Sequence, residues 1–168
     1  ADFNGSDSFT YVVKDDSDAT SNVATVSLTI TAVNDAPVAS NDNVTLLEDA
    51  SLNINALGND SDVDGSIQAA TLVLVEPPAQ GIASVLSGVI NYAPDADFNG
   101  ADSLSYRVQD DSGAWSNTAT VVMTITAVND EPLANNDSAS TSEDSAVVID
   151  VAANDSDIDG SLDLSSIV

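Results

Sequence analysis

Residues 118–128 read TATVVMTITAV, and the period of that stretch decides the fold. Ala119, Val121, Met123, Ile125 and Ala127 fall on one side of an extended chain, while Thr120, Val122, Thr124 and Thr126 fall on the other. An apolar period of two is the pattern of a half-buried β-strand, because successive side chains point to opposite faces. Leu104, Tyr106 and Val108 make a second inward row, with Ser103, Ser105 and Arg107 outside, and Leu52, Ile54 and Ala56 make a third. TLVLV at 71–75, IASVL at 82–86 and VINY at 89–92 bring the total to about six or seven short strands separated by Gly, Pro, Asn and Asp turns. No segment has helical periodicity of useful length.

The strand pattern occurs twice. ADFNGSDSFTYVVKDDSDATSNVATVSLTITAVNDAP at 1–37 returns as ADFNGADSLSYRVQDDSGAWSNTATVVMTITAVNDEP at 96–132. The match runs without a gap from 1–73 against 96–168, and more than half of the aligned pairs are identical, which marks a tandem duplication. The first copy of the inward row is Ala24, Val26, Leu28, Ile30 and Ala32. Residues 1–35 are then the C-terminal part of one repeat, 36–130 a complete repeat, and 131–168 the N-terminal part of the next. About seven strands in a repeat of about 95 residues is the size of an immunoglobulin-like sandwich, so the expected architecture is all-β, a row of tandem β-sandwiches. The flanking pieces lack the counterpart of 74–95, so they are expected to belong to a longer chain or to pack on a neighbouring copy.

The chain has 28 acidic and two basic side chains, Lys14 and Arg107, for a net charge of -26. Nucleic acid is excluded as a partner, because releasing counterions from phosphates needs clustered Lys and Arg. Disorder is also excluded, because 43% of residues are hydrophobic and supply a core. With no Cys and no His, there is no disulfide, no thiolate metal site and no imidazole base. No apolar run reaches the length of a membrane span, so direct insertion is not expected, and export would be directed from sequence outside these residues.

The acidic residues gather in the turns. NDSDVDGS at 59–66 and NDSDIDGS at 154–161 place Asp60, Asp62, Asp64 and Asp155, Asp157, Asp159 at alternate positions before a glycine. In a strand these carboxylates would stand roughly 6.6–7 Å apart, too far to share an ion, so a turn at Gly65 is needed to gather them. Two carboxylates about 5 Å apart repel by about 3 kcal/mol at an effective dielectric near 20, and a hard divalent cation removes that cost. The spacing opens like an EF-hand loop, but Thr71 and Ser166 stand where its closing glutamate belongs, so any ion is completed from elsewhere in the fold. The plain alternative is a set of solvated Asx turns. Further acidic pairs occur at the repeat junctions (Asn34-Asp35 and Asn129-Asp130), at strand ends (Glu48-Asp49 and Glu143-Asp144), and before the last strand (Asp15-Asp16 and Asp110-Asp111). If loops cluster at the ends of each sandwich, ions between adjacent repeats would lock the hinge.

NDAPVASNDNVTLLEDASLNINALGNDSDVDGS, then GVINYAPDADFNGADSLSYRVQDDSG and TATVVMTITAVND, resembles the cadherin-like, immunoglobulin-like repeats of giant bacterial calcium-dependent adhesins over the whole chain. The resemblance implies a non-catalytic stalk module stiffened by Ca2+, secreted to the surface of a Gram-negative cell. Asn34-Asp35 and Asn129-Asp130 resemble the linker of animal cadherins with one residue fewer before the proline. Tyr11 and Tyr106 resemble core tyrosines whose hydroxyl bonds to backbone. Two other readings stand beside the stalk: a carbohydrate-binding module using the acidic loops and Trp115, which aligns with Thr20, and a fibre built by self-association of copies. Catalysis is not expected, because paired carboxylates that recur in every repeat behave as ligands would and not as one active site.

Overall fold

The computed structural model describes residues 2–168. The strands, in chain order, are β1 (Gly5–Tyr11), β2 (Ala24–Ile30), β3 (Asp42–Leu47), β4 (Leu52–Ile54), β5 (Ile67–Glu76), β6 (Gly81–Leu86), β7 (Val89–Pro94), β8 (Gly100–Asp110) and β9 (Ala119–Thr126). Among the described residues, helix is confined to short 3-10 turns at Ala56–Asn59 and Leu164–Ser166, and no helix is long and apolar enough to cross a membrane.

Strands β3 to β9 form a sandwich of two sheets, β3-β9-β8-β5 and β4-β7-β6. β3 runs parallel to β9, with Asp42 opposite Val121 and Leu47 opposite Thr126, and the other pairs are antiparallel. The alternation read from sequence puts Leu104, Tyr106 and Val108 of β8 and Ala119, Val121, Met123 and Ile125 of β9 into the core against Ile54, Leu72, Ile90 and Tyr92. Ala127 departs from its row and is exposed, because β9 ends at Thr126 where its partner β3 also ends. Ser105, expected outside, is buried, because its Oγ accepts the Glu76 amide at 3.1 Å where β5 bulges over β8. The hairpin β6–β7 turns through Ser87 and Gly88, with φ of 53° and 80°, the left-handed pair that a two-residue turn needs to match strand twist.

Two tyrosines tie the loops to this core. The Tyr106 hydroxyl lies 2.9 Å from the carbonyl of Ala56 and 3.0 and 3.1 Å from the Asp60 carboxylate oxygens, so the expected backbone contact forms. The Tyr92 hydroxyl donates to Asp102 Oδ2 at 2.9 Å, and Asp102 also accepts the amides of Ala79, Gln80 and Ser103. Burial raises the Asp102 carboxyl, but these donors outweigh it and hold the group below its ordinary value.

The β1–β2 hairpin keeps the pairing of β8–β9 at the repeat offset: Gly5 faces Ile30 as Gly100 faces Ile125. Its inward row, including Phe9, Tyr11 and Leu28, lies open, since no second sheet covers it. Beyond β9, Leu133 and Ser156 form the same bridge as Val38 and Ser61, with no further strand among the described residues.

Replacing Tyr106 by Phe removes the one hydroxyl hydrogen that the Ala56 carbonyl and the Asp60 carboxylate share inside the fold. A loss of about 1–3 kcal/mol is expected from urea unfolding of the chain, with the strand content by circular dichroism unchanged.

Candidate metal centre

The three aspartates of each DxDxDG loop do not converge. Asp60 ends the 3-10 turn and faces inward, where it accepts the Ser40 amide at 2.8 Å beside Tyr106; Asp155 accepts the Asn135 amide at 2.7 Å in the same way. The reason is the bridge through Ser61 or Ser156, which holds the chain extended at that point, so that the turn begins only afterwards. Asp62 and Asp157 close the turn: Asp62 Oδ1 accepts the amides of Asp64 and Gly65, and Asp157 Oδ1 those of Asp159 and Gly160.

Other loops complete what the third aspartate does not. Asp111 Oδ1 accepts the Ser66 amide at 3.2 Å, and a Cβ placed on Gly65 would meet Asp111 Oδ1 at 2.6 Å and Asp62 Oδ2 at 3.1 Å. A side chain there would push apart the carboxylates that two loops close over its Cα. Asp62 Oδ2 is buried with no hydrogen-bond partner. Asp64 receives the Asp35 amide at 3.2 Å on both oxygens, and Asn34 Nδ2 donates to Asp110 Oδ2 at 2.7 Å. That Asn34 contact, joined by the Ala114, Ser112 and Gly113 amides against an opposing effect of burial, holds the Asp110 carboxyl below its ordinary value. An orphaned carboxylate oxygen facing a second carboxylate is a donor set that suits a hard cation such as Ca2+, which Asp62 and Asp111 would hold.

The opposite end of the repeat holds a tighter group. Asp49 after β3, Asp97 after β7 and Asp130 after β9 bring ligand oxygens within 4.8 Å of one another, the one such acidic trio among the described residues. Asp49 and Asp97 both take left-handed backbone, φ 60° and 57°, which Asp tolerates better than most residues. The Asp97 amide donates to Asp49 Oδ1 at 3.2 Å, and buried Glu48 accepts Val128 N on Oε1 and Asn99 Nδ2 on Oε2. The Asp130 amide reaches Asp159 of the next loop at 3.4 Å. Burial first, then Asp97, Asp159, Asp49 and Glu48, raise the Asp130 carboxyl above its ordinary value.

Asp97 escaped the sequence reading. Its signal was the recurrence of ADFNG at 1–5 and 96–100, and Asp2 lies with Asp35 and Asp64 around a depression at the preceding junction. The remaining candidates stay apart: Asp15 caps its own turn through the Ser17 and Ala19 amides, Asp16 and Glu143 are exposed, and Asp144 repeats the left-handed backbone of Asp49 at φ 62°.

A group raised in the folded state stabilises below its unfolded pKa and loses that contribution as pH rises through its folded value. In chelator, the Asp130 end should therefore loosen as pH rises through the upper carboxylate range, and Asp130→Asn should flatten that slope in hydrogen exchange of the 126–131 amides. Gly65→Ala should weaken calcium binding at least tenfold by titration calorimetry while lowering stability in chelator by under about 1 kcal/mol, since the displaced atoms are flexible carboxylate ends.

The family described as bacterial Ig domain matches residues 34–126 and again residues 129–168. A search of curated proteins finds no match. Among solved structures, a 2,6-sialyltransferase from the Vibrionaceae species Photobacterium sp. is 15% identical over 54% of this chain and 18% of its own, with a TM-score of 0.35. An endo-fucoidan hydrolase of glycoside hydrolase family 107 is 17% identical over 74% of this chain and 19% of its own, also at 0.35. The chain spans less than a fifth of either enzyme, and similarity at that level says nothing about activity. On the strength of the two family matches, the first of them borne by the sandwich, this chain belongs to the bacterial Ig domain family.

Proposed function

We propose that the chain is a non-catalytic, calcium-binding extender of a bacterial cell-surface adhesin, its repeats stiffened end to end by Ca2+. The observation that carries this reading is the trio Asp49, Asp97 and Asp130, gathered at the exit of one repeat with Asp130 tied to Asp159 of the next. Like charges held at that distance repel one another unless neutralised, and millimolar extracellular calcium is the hard cation available to do so. Neutralisation would join three loops of one repeat to the first turn of its neighbour, which is what a rigid stalk requires. Such domains commonly sit on the outside of bacteria, and these residues would work there as a spacer for a binding unit elsewhere in the protein.

Carbohydrate binding through Trp115 has less support. The Arg107 guanidinium lies over the indole, 4.2 Å from the ring centroid, and occupies a face that a stacked sugar would use.

Thermal unfolding with millimolar calcium and with chelator tests the reading. A cation at 100 times its Kd adds about 2.7 kcal/mol, or roughly 10–20 °C for a folding unit of this size. Asp97→Asn with Asp130→Asn should remove most of that rise and shorten the maximum dimension by small-angle scattering. Equal melting and equal dimensions with and without calcium would sink the stalk mechanism.

A further inference from the structure

A surface free of charge stands out on a chain with 28 acidic side chains. Residues 50–59 and 77–94, which supply the whole of sheet β4-β7-β6, contain no charged side chain. β6 is the outer strand of that sheet, and its outward side chains are Ile82, Ser84 and Leu86, with Ile82 75% and Leu86 76% exposed. Edge strands are ordinarily guarded by Lys, Pro, a bulge or a covering loop, because their free N–H and C=O groups recruit another strand. β6 pairs with β7 in unbroken register from Gly81 to Leu86 and has neither Pro nor charge.

The hairpin shows which groups are free. A two-residue turn at Ser87-Gly88 makes Leu86 and Val89 a hydrogen-bonded pair, so the bonded pairs continue at Ser84–Asn91 and Ile82–Ala93. Ala83 and Val85 therefore turn their N–H and C=O outward, while their side chains pack on the core.

We infer that two copies of this chain pair laterally through β6, antiparallel and about a two-fold axis at Ser84, to make a continuous six-strand sheet β4-β7-β6-β6-β7-β4. The register follows from the free groups. With Ser84 opposite Ser84 of the second copy, Ala83 faces Val85 and the two exchange both backbone bonds, twice over. The same register sets Ile82 beside Leu86 on the outer face, again twice, and withdraws both from water. A second copy is the occupant because the edge is self-complementary in this register, and because two bodies of charge -26 can approach closely only through a neutral face. The pairing is independent of calcium and would bind stalks side by side, where the acidic ends bind repeats in line.

Sedimentation velocity of the full chain over a concentration series tests it, in chelator and at high and low salt. A monomer–dimer equilibrium that tightens as salt rises is expected, since salt screens the repulsion between the acidic bodies. Ile82→Glu with Leu86→Glu should weaken it at least tenfold. Ile82→Lys with Leu86→Glu, which sets opposite charges against each other in this register alone, should retain it. Because the chain has no cysteine, Ser84→Cys supplies a single thiol, and mild oxidation should link it to itself across the axis, whereas Ser103→Cys on the other sheet should stay monomeric. A chain that remains monomeric at every concentration, or a dimer indifferent to the paired glutamates, overturns the proposal; indifference would assign association to the open face of β1–β2 instead.

Discussion

Carboxylates that cannot be paired with cations shape this structure. Against 28 acidic side chains stand Lys14 and Arg107, and neither reaches the inner carboxylates: Lys14 pairs with the exposed Asp18 at 3.4 Å, and Arg107 lies over an indole. The inner carboxylates therefore take backbone amides and hydroxyls as donors. Asp102 collects three amides and the Tyr92 hydroxyl, Asp60 the Ser40 amide beside Tyr106, Asp110 the amides of its own turn and Asn34, and Glu48 the Val128 amide and Asn99. Apart from the Ser103 amide and the turn amides of Asp110, these contacts bridge separate segments, so satisfying the charge also fastens the loops to the sandwich.

Where amide donors run out, charge accumulates. That happens at the two ends of the repeat, over Gly65 and around Asp97, because strands expend their own amides on the ladder and only the loops have any left. The same exclusion leaves the middle of the small sheet neutral. Acidic ends and a neutral flank thus arise from one constraint, the separation of a hydrogen-bonded apolar core from loops rich in aspartate, and the two proposed contacts, end to end through a cation and side to side through β6, each draw on one of them.

The strands were legible because their burial is periodic. Leu104, Tyr106 and Val108 and the row from Ala119 to Ile125 lie inside as their spacing requires, and the repeat offset carries over to the pairing of β1 with β2. Ser105 was not legible, since a bulge in β5 covers it and bulges leave no mark on the period of the neighbouring strand. The acidic loops were legible as loops, but their grouping was not. Asp60, Asp62 and Asp64 look alike in sequence and separate in space, because a bridge through Ser61 turns the first toward Tyr106 before the chain bends. Asp97, whose partners lie on other loops, joins Asp49 from a strand end nearly fifty positions away.

Sequence alone determined the all-β class, the tandem repeat, the alternating core rows and the concentration of charge in turns, for all of these depend on local periodicity and composition. Tertiary structure decided which carboxylates meet, which oxygen of Asp62 is orphaned, and that β6 is an outer strand of the small sheet. Those outcomes depend on how loops from distant strands close over one another, and an interaction between residues far apart in the chain leaves no periodic trace in it.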